Sequence, residues 1–260
     1  NDLRSVICNI AARLSDNVPL FLVGFSLGGN LVVKYLGEEG MAKTLPACVA
    51  GAISISNPLE INDNEHRTPR AQILCLKEKI RILKQGKQLG QMTCDNFQSA
   101  HQNALRSMTV AEFGSHLAQH TIRNDSAHPF STSIGYETVE ELWDDASSRN
   151  YVQHVTVPLL KIFACNDKAV HDKTMKNMHR CLSNPNVIVM KTKTGGHLGW
   201  HHVPWHNLFG SSDSQSSTIW TDGVATKFID SIILMRDHRG GNKGQNGENS
   251  MGKRISAKKQ

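Results

Sequence analysis

The stretch that most constrains this chain runs from Pro19 to Tyr35, PLFLVGFSLGGNLVVKY, where an apolar run stops at Gly24-Phe25-Ser26-Leu27-Gly28 and a helical pattern begins at once. Phe21, Leu22 and Val23 are apolar without alternation, which predicts a short strand buried on both faces, as in a parallel sheet. Leu31, Val32, Tyr35 and Leu36 then recur at the spacing of one helix face. G-x-S-x-G between a strand and a helix is the pattern of a nucleophile elbow, a turn so tight that its serine is held in a strained backbone conformation. Gly24 and Gly28 read as steric necessities, since a side chain at either is expected to collide with the neighbouring strand or helix. The helix N-terminus also offers backbone N–H groups, so the Leu27 amide is a candidate oxyanion donor. The plainer reading is a glycine-rich turn that carries a serine by accident.

Along the chain from this turn, Gly37 to Gly40 are expected to close the helix as a C-cap-like pair, with a loop over Met41 to Pro46. Cys48 to Ser56 reads as a second buried strand, ended by Asn57-Pro58. From Leu59 to His154 the pattern changes to charged helices and polar loops. Arg70 to Lys84 is predicted helical, with Ile73, Leu74, Leu76, Ile80 and Leu83 toward a partner; Phe97 to His120 is a weaker helical region. Thr138 with Glu141 three residues on marks a capping box, so a helix restarts there. Val157 to Cys165 is a further buried strand that stops at Asn166-Asp167, and Asp172 to Leu182 is the crossover helix. Val187 to Lys191 is the last strand, and Trp220 to Met235 a closing helix with Val224, Phe228, Ile229, Ile232 and Ile233 on its apolar side. Strands alternating with helices predict an α/β fold with a mostly parallel sheet.

Three polar residues thus fall just past the carboxyl ends of three inferred strands: Ser26, Asp167 and His197. Parallel sheets gather functional groups at that edge, and the chain order Ser, Asp, His is one that hydrolytic triads use. A serine hydroxyl needs a base to take its proton as it attacks. His197 suits that task because imidazole both accepts and returns a proton near neutral pH. Asp167 is placed to hold the ring's tautomer; Asp172, farther from the strand end, is better placed to cap the following helix. Gly195 and Gly196 predict a close-packed turn that delivers His197 to a site. The bland readings are a loop carboxylate for Asp167 and, for His197, one histidine among 13.

Composition excludes several classes. No CxxC spacing joins the 6 cysteines, no stretch resembles a secretory signal, and no apolar run reaches the length of a membrane span. The cluster His197, His201, His202 and His206 invites a zinc reading, but no carboxylate or cysteine stands among them at ligand spacing and no HExxH occurs, so no metal is expected. Trp200, Trp205 and the three later histidines are assigned to a pocket rim or surface. The formal charge of +6 sits almost wholly in 236–260, where Arg236, Arg239, Lys243, Lys253, Arg254, Lys258 and Lys259 face only Asp237 and Glu248. That Gly/Asn-rich segment reads as a disordered, solvated tail, with weak attraction to an anionic membrane or nucleic acid as the sharper alternative. The chain opens directly on an amphipathic helix marked by Leu3, Val6, Ile7, Ile10 and Leu14, with no initiator methionine. A doubly wound sheet is expected to have several strands before that helix, so the reading here is a fragment or a shortened gene model.

With these residues in view the chain resembles an α/β-hydrolase of the subfamily that contains bacterial YheT-like esterases, plant embryogenesis-associated hydrolases and mammalian medium-chain phospholipases. The resemblance covers about residues 1–235 and rests on VGFSLGGNLVVKYLGEEG, ISNPLE, GYETVEELWDDASS, VPLLKIFACND and GGHLGWH. It implies an α/β-hydrolase domain over 1–235 with a helical cap inserted at 59–154, Ser26 as nucleophile, Asp167 as acid and His197 as base. It further implies hydrolysis of carboxylic esters of medium- or long-chain acyl lipids, acylglycerols or phospholipids, without a cofactor. The family usually has two acids and a proline where this chain has Asn166-Asp167-Lys168. Peripheral membrane association, a cytoplasmic or membrane-associated location and no nucleic-acid partner complete these expectations. The alternative from another class is a non-catalytic α/β module or ligand-binding scaffold, because fold alone does not establish activity.

Overall fold

The computed structural model describes residues 2–15, 17–61, 69–89, 102–110, 112–116, 136, 138–200 and 219–256. They fall into two compact units, Asn1–Leu59 with Tyr151–Gln260, and Glu60–Asn150.

The first unit is built on four parallel strands in the order β1 (Leu20–Phe25), β2 (Val49–Ile55), β3 (Leu159–Ala164) and β4 (Val187–Thr192). Each boundary lies within two residues of its sequence expectation. In parallel register Ile53 stands beside Leu160 and Ile55 beside Ile162, while Ala52 stands beside Leu159. Alternation then sends these pairs to opposite faces. On one face Ala52 and Leu159 pack with Ile7 of α1 (Asp2–Ala11), Val33 and Leu36 of α2 (Leu27–Ala42), and Cys181. On the other, Ile53, Ile55, Leu160 and Ile162 pack under Trp200 and the Trp220, Val224, Phe228 and Ile229 stripe of the last helix, Trp220–Ser256. Every residue of β2 and β3 is buried, as the absence of alternation in their sequences requires.

β1 departs from the expectation of burial on both faces, for Val23 and Phe25 are 45% and 49% exposed. It lies at one edge of the described sheet, and the last helix packs over β2 instead. α1 buries a narrower stripe than its periodicity suggested: Ile7 is buried, but Val6 and Ile10 are exposed. Arg4 of α1 reaches the buried Glu39 of α2, which also accepts from Thr44.

Gly37 and Gly40 are not a C-cap. α2 continues to Ala42 and ends on Lys43 in the left-handed conformation, φ 58°. The two glycines instead admit the backbone of Tyr151 and of His154, which a Cβ would approach to 2.3 and 2.0 Å. The crossover from β3 to β4 is two short helices, α5 (His171–Lys176) and α6 (Met178–Leu182), broken at Asn177. Asp172 does not cap: Val170 holds the cap position, and the Asp172 carboxylate is fully exposed beside His171. The last helix, α7, runs beyond Met235 to Ser256, where the sequence predicted a disordered tail. Apolar periodicity does stop near Met235, but no proline interrupts the hydrogen-bond ladder after it.

The described parts of the second unit are largely helical. Its longest element, α3 (Pro69–Leu89), opens on a proline whose fixed φ suits the first turn. Short helical turns follow at 102–106 and 112–116, and Cys75, Ala104 and Phe113 form a small core. α4 (Val139–Ala146) begins as its sequence predicts, with the Thr138 hydroxyl accepting from the Glu141 N–H at 3.1 Å. Trp143 donates to Ser115 Oγ, so α4 is tied to the 112–116 turn.

The elbow glycines behave unequally. A Cβ on Gly24 would lie 2.4 Å from the Gly28 carbonyl oxygen and 2.7 Å from Gly29 Cα, whereas one on Gly28 meets nothing within 4 Å. The collision assigned to Gly28 belongs instead to Gly29, where a Cβ would come within 2.9 Å of Ser54 Oγ. Gly24→Ala is therefore expected to destabilise the protein by about 1–3 kcal/mol through overpacking. Gly28→Ala, on a helix with open space around it, should be neutral or stabilising by about 0.5–1 kcal/mol. Urea midpoints of the two variants test this, and Gly28→Ala proving the more damaging would refute it.

Candidate functional site

The site is assembled from the carboxyl ends of the strands. Ser26 follows β1 directly, its N–H donating to Ile55 O at 2.8 Å, and it adopts φ 51°, ψ −120° as α2 starts on the next residue. A non-glycine residue at positive φ is strained, and here the close approach of Gly24 to Gly28 and Gly29 leaves the chain little alternative. The result is a half-buried hydroxyl standing at the start of a helix.

Asp167 lies three residues past β3, its side chain wholly removed from solvent. Its Oδ1 accepts from the Ala169 N–H at 3.0 Å. Burial pushes this carboxyl up, but the hydrogen bond and charge of His197, the Ala169 N–H and the Ser56 hydroxyl outweigh it and hold the group below the ordinary aspartate range. His197 is delivered by the turn after β4, in which Gly195 has φ 148° and Gly196 φ 58°. A Cβ on Gly195 would strike the Trp200 indole at 2.3 Å. Trp200 is no rim residue: it is 7% exposed, packs in the core on the α7 face, and donates to Thr192 Oγ1 at 2.9 Å.

The three side chains meet. His197 Nδ1 is 2.9 Å from Asp167 Oδ2, and His197 Nε2 is 2.8 Å from Ser26 Oγ. An ionised carboxylate can only accept, so Nδ1 carries the proton and Nε2 is the acceptor for the Ser26 hydroxyl. Leu27, the first residue of α2, has an N–H with no intrahelical acceptor, one residue from that hydroxyl. An arrangement of this kind can withdraw the serine proton as the oxygen attacks an electrophile, and can present an N–H to the negative charge that develops.

Two supporting residues escaped the sequence reading. Ser56, fully buried at the end of β2 with φ 50°, donates its hydroxyl to the main-chain oxygen of His197 and touches the Asp167 carboxylate. Asn166 Oδ1 accepts from the Gly196 N–H at 2.8 Å. Both clamp the loop that bears the imidazole, and their position at strand ends was the available signal. Beneath them the Asn57 carbonyl accepts from Thr174 Oγ1 at 3.0 Å and from Lys161 Nζ at 2.8 Å. Burial lowers the Lys161 ammonium to about 8, against a smaller opposite effect of Cys181. Among the described residues no three His, Cys, Asp or Glu side chains are grouped to hold a metal ion. His201, His202, Trp205 and His206 lie outside the described residues.

No family model matches the chain. It is similar to the embryogenesis-associated protein EMB8 of Picea glauca, at 25% identity over 88% of this chain and 46% of that protein. It is also similar to a monoacylglycerol lipase of Saccharomyces cerevisiae, at 26% identity over 77% of this chain and 42% of the relative. Phospholipase ABHD3 of Bos taurus is 24% identical over 89% of this chain and 50% of its own length. The chain thus spans about half the length of the curated relatives it matches. The chain is thus similar, at about a quarter identity, to proteins of the α/β-hydrolase kind, and its parallel sheet whose first strand ends in a serine turn agrees with that fold.

Proposed function

We propose that the protein is a serine hydrolase that cleaves carboxylic esters of acyl lipids through an acyl-enzyme intermediate. The observation that carries this reading is the continuous hydrogen-bond line from Ser26 Oγ through His197 to the buried Asp167 carboxylate. The lipase and phospholipase names of the relatives support a lipid ester as the substrate class, with acylglycerols and phospholipids as its two forms.

In the proposed reaction Ser26 Oγ attacks the ester carbonyl carbon as its proton passes to His197 Nε2. The carbonyl oxygen gains the negative charge and faces the Leu27 N–H. Collapse of the tetrahedral species breaks the bond to the alcohol, which leaves with the proton from Nε2. Water then attacks the acyl-serine with His197 again as base, releasing the fatty acid and restoring the hydroxyl. Asp167 keeps the proton on Nδ1 and stabilises the imidazolium in both steps. Ser56 and Asn166 act as positioning residues. The helical unit Glu60–Asn150, inserted between β2 and β3, is proposed as the cap that selects the acyl chain.

The test is covalent labelling. A fluorophosphonate probe should label the folded protein at Ser26 and leave Ser26→Ala unlabelled, and His197→Ala should slow labelling by about 1,000-fold or more. Nitrophenyl esters and monoacylglycerols should be turned over with the same dependence. A folded protein that neither labels nor hydrolyses would overturn the proposal.

Asp167 also sets a pH dependence of stability. Because its folded value lies below the ordinary 3.8, its contribution is fully present above 3.8 and is lost as pH falls through the depressed folded value. Asp167→Asn should therefore lower stability at pH 7 and flatten the acid limb of the stability curve below about pH 4. Urea unfolding across that range measures both effects. An unaltered acid limb would show that the carboxylate is not held as described.

A further inference from the structure

α3 carries two apolar faces, and among the described residues only one of them is packed. Cys75 is 1% exposed and sits in the small core with Ala104 and Phe113. Ile73, Leu76, Ile80 and Leu83, spaced three, four and three residues apart, line a second face about a third of a turn away. Their exposures are 57%, 55%, 44% and 59%. The sequence pattern assigned these residues to a partner, and among the described residues they remain at the surface. A ridge of four large aliphatic side chains about 15 Å long is more than the scattered exposed leucine of an ordinary surface.

Charge is arranged beside this ridge. Lys77, Arg81 and Lys84 follow it along one flank, and all three are exposed. On the other flank Lys79 is turned back, donating to Ser107 O at 2.6 Å. The one acid between Ile73 and Lys84, Glu78, pairs with Arg81 at 3.0 Å. The surface is thus an aliphatic ridge bordered by a cationic row, without the aromatic anchors that mark protein interfaces. The helix is not apolar enough to cross a bilayer. An element with this pattern lies in the interface plane, its aliphatic face among the acyl chains and its cations at the headgroups.

We infer that the exposed Ile73–Leu83 ridge of α3, with Lys77, Arg81 and Lys84 beside it, is a docking surface for an anionic lipid membrane. This rests on the lipid-ester reading above only for its purpose, since a hydrolase of bilayer lipids must meet them at the interface. The recognition itself depends on the helix alone.

The experiment is co-sedimentation of the full chain with vesicles, using the Ser26→Ala protein so that no lipid is consumed. Vesicles of phosphatidylcholine are compared with vesicles containing about one-third phosphatidylserine. Leu76→Glu combined with Ile80→Glu tests the ridge, Lys77→Glu with Lys84→Glu tests the flank, and Lys258→Glu with Lys259→Glu controls for the basic terminus. Circular dichroism checks that each variant is folded, which surface positions should permit. The expected result is binding that prefers the anionic vesicles, falls about tenfold or more in the ridge variant, and loses its preference for phosphatidylserine in the flank variant. Absence of binding, an unaffected ridge variant, or a loss confined to the terminal variant would overturn the inference. So would a ridge variant that converts a dimer to a monomer without changing vesicle binding, which would assign the surface to a second copy of the chain. Hydrolysis of soluble short-chain esters by wild type without vesicle binding would sink this inference alone. Vesicle binding without any hydrolysis would sink the functional proposal alone.

Discussion

Everything at this site hangs on how closely the first turn of α2 approaches the end of β1. With a Cβ at Gly24 excluded by the Gly28 and Gly29 backbone, the chain can reverse only by placing Ser26 at φ 51°. That strain lifts the hydroxyl off the sheet edge and sets the Leu27 N–H beside it. The strain is sustained by burial on both sides of the neighbouring strands, since β2 and β3 bury every residue and hold the carboxyl edge in register.

From that edge the other groups follow as neighbours. Ser56 follows β2, Asn166 and Asp167 lie just past β3, and the turn after β4 carries His197, so adjacent strands present consecutive members of one hydrogen-bonded cluster. The charges balance locally. A buried carboxylate would ordinarily be driven toward neutrality, and here the adjacent imidazole, the Ala169 N–H and the Ser56 hydroxyl reverse that tendency. Lys161, buried under the same edge, has no carboxylate partner among the described residues and loses proton affinity to burial, while its Nζ and Thr174 Oγ1 hold the Asn57 carbonyl just past the end of β2.

Much of this could be read in the amino-acid order because parallel strands announce themselves as unbroken apolar runs and functional residues follow their ends. Ser26, Asp167 and His197 stand out that way as candidates, and their side chains meet. What escaped depended on tertiary contact. Ser56 meets His197 across most of the chain, and no local pattern encodes that meeting. Gly37 and Gly40 resembled a helix end because glycine is common there, yet their reason is the backbone of 151–154 pressed against α2. Val23 looked buried because apolar periodicity cannot distinguish an edge strand from a central one. Ile73, Leu76, Ile80 and Leu83 formed a legible face, but whether a core or something else covers it is not written in the spacing.

His197 is held in one tautomer between a carboxylate and a hydroxyl. Nitrogen-15 histidine NMR of the full-length chain tests it most directly, through the ring proton that bridges His197 and Asp167. One strongly deshielded Nδ1–H resonance assigned to His197 is expected, present in wild type and lost in Asp167→Asn. A His197 ring protonated on Nε2 with a bare Nδ1, unaltered by Asp167→Asn, would contradict it.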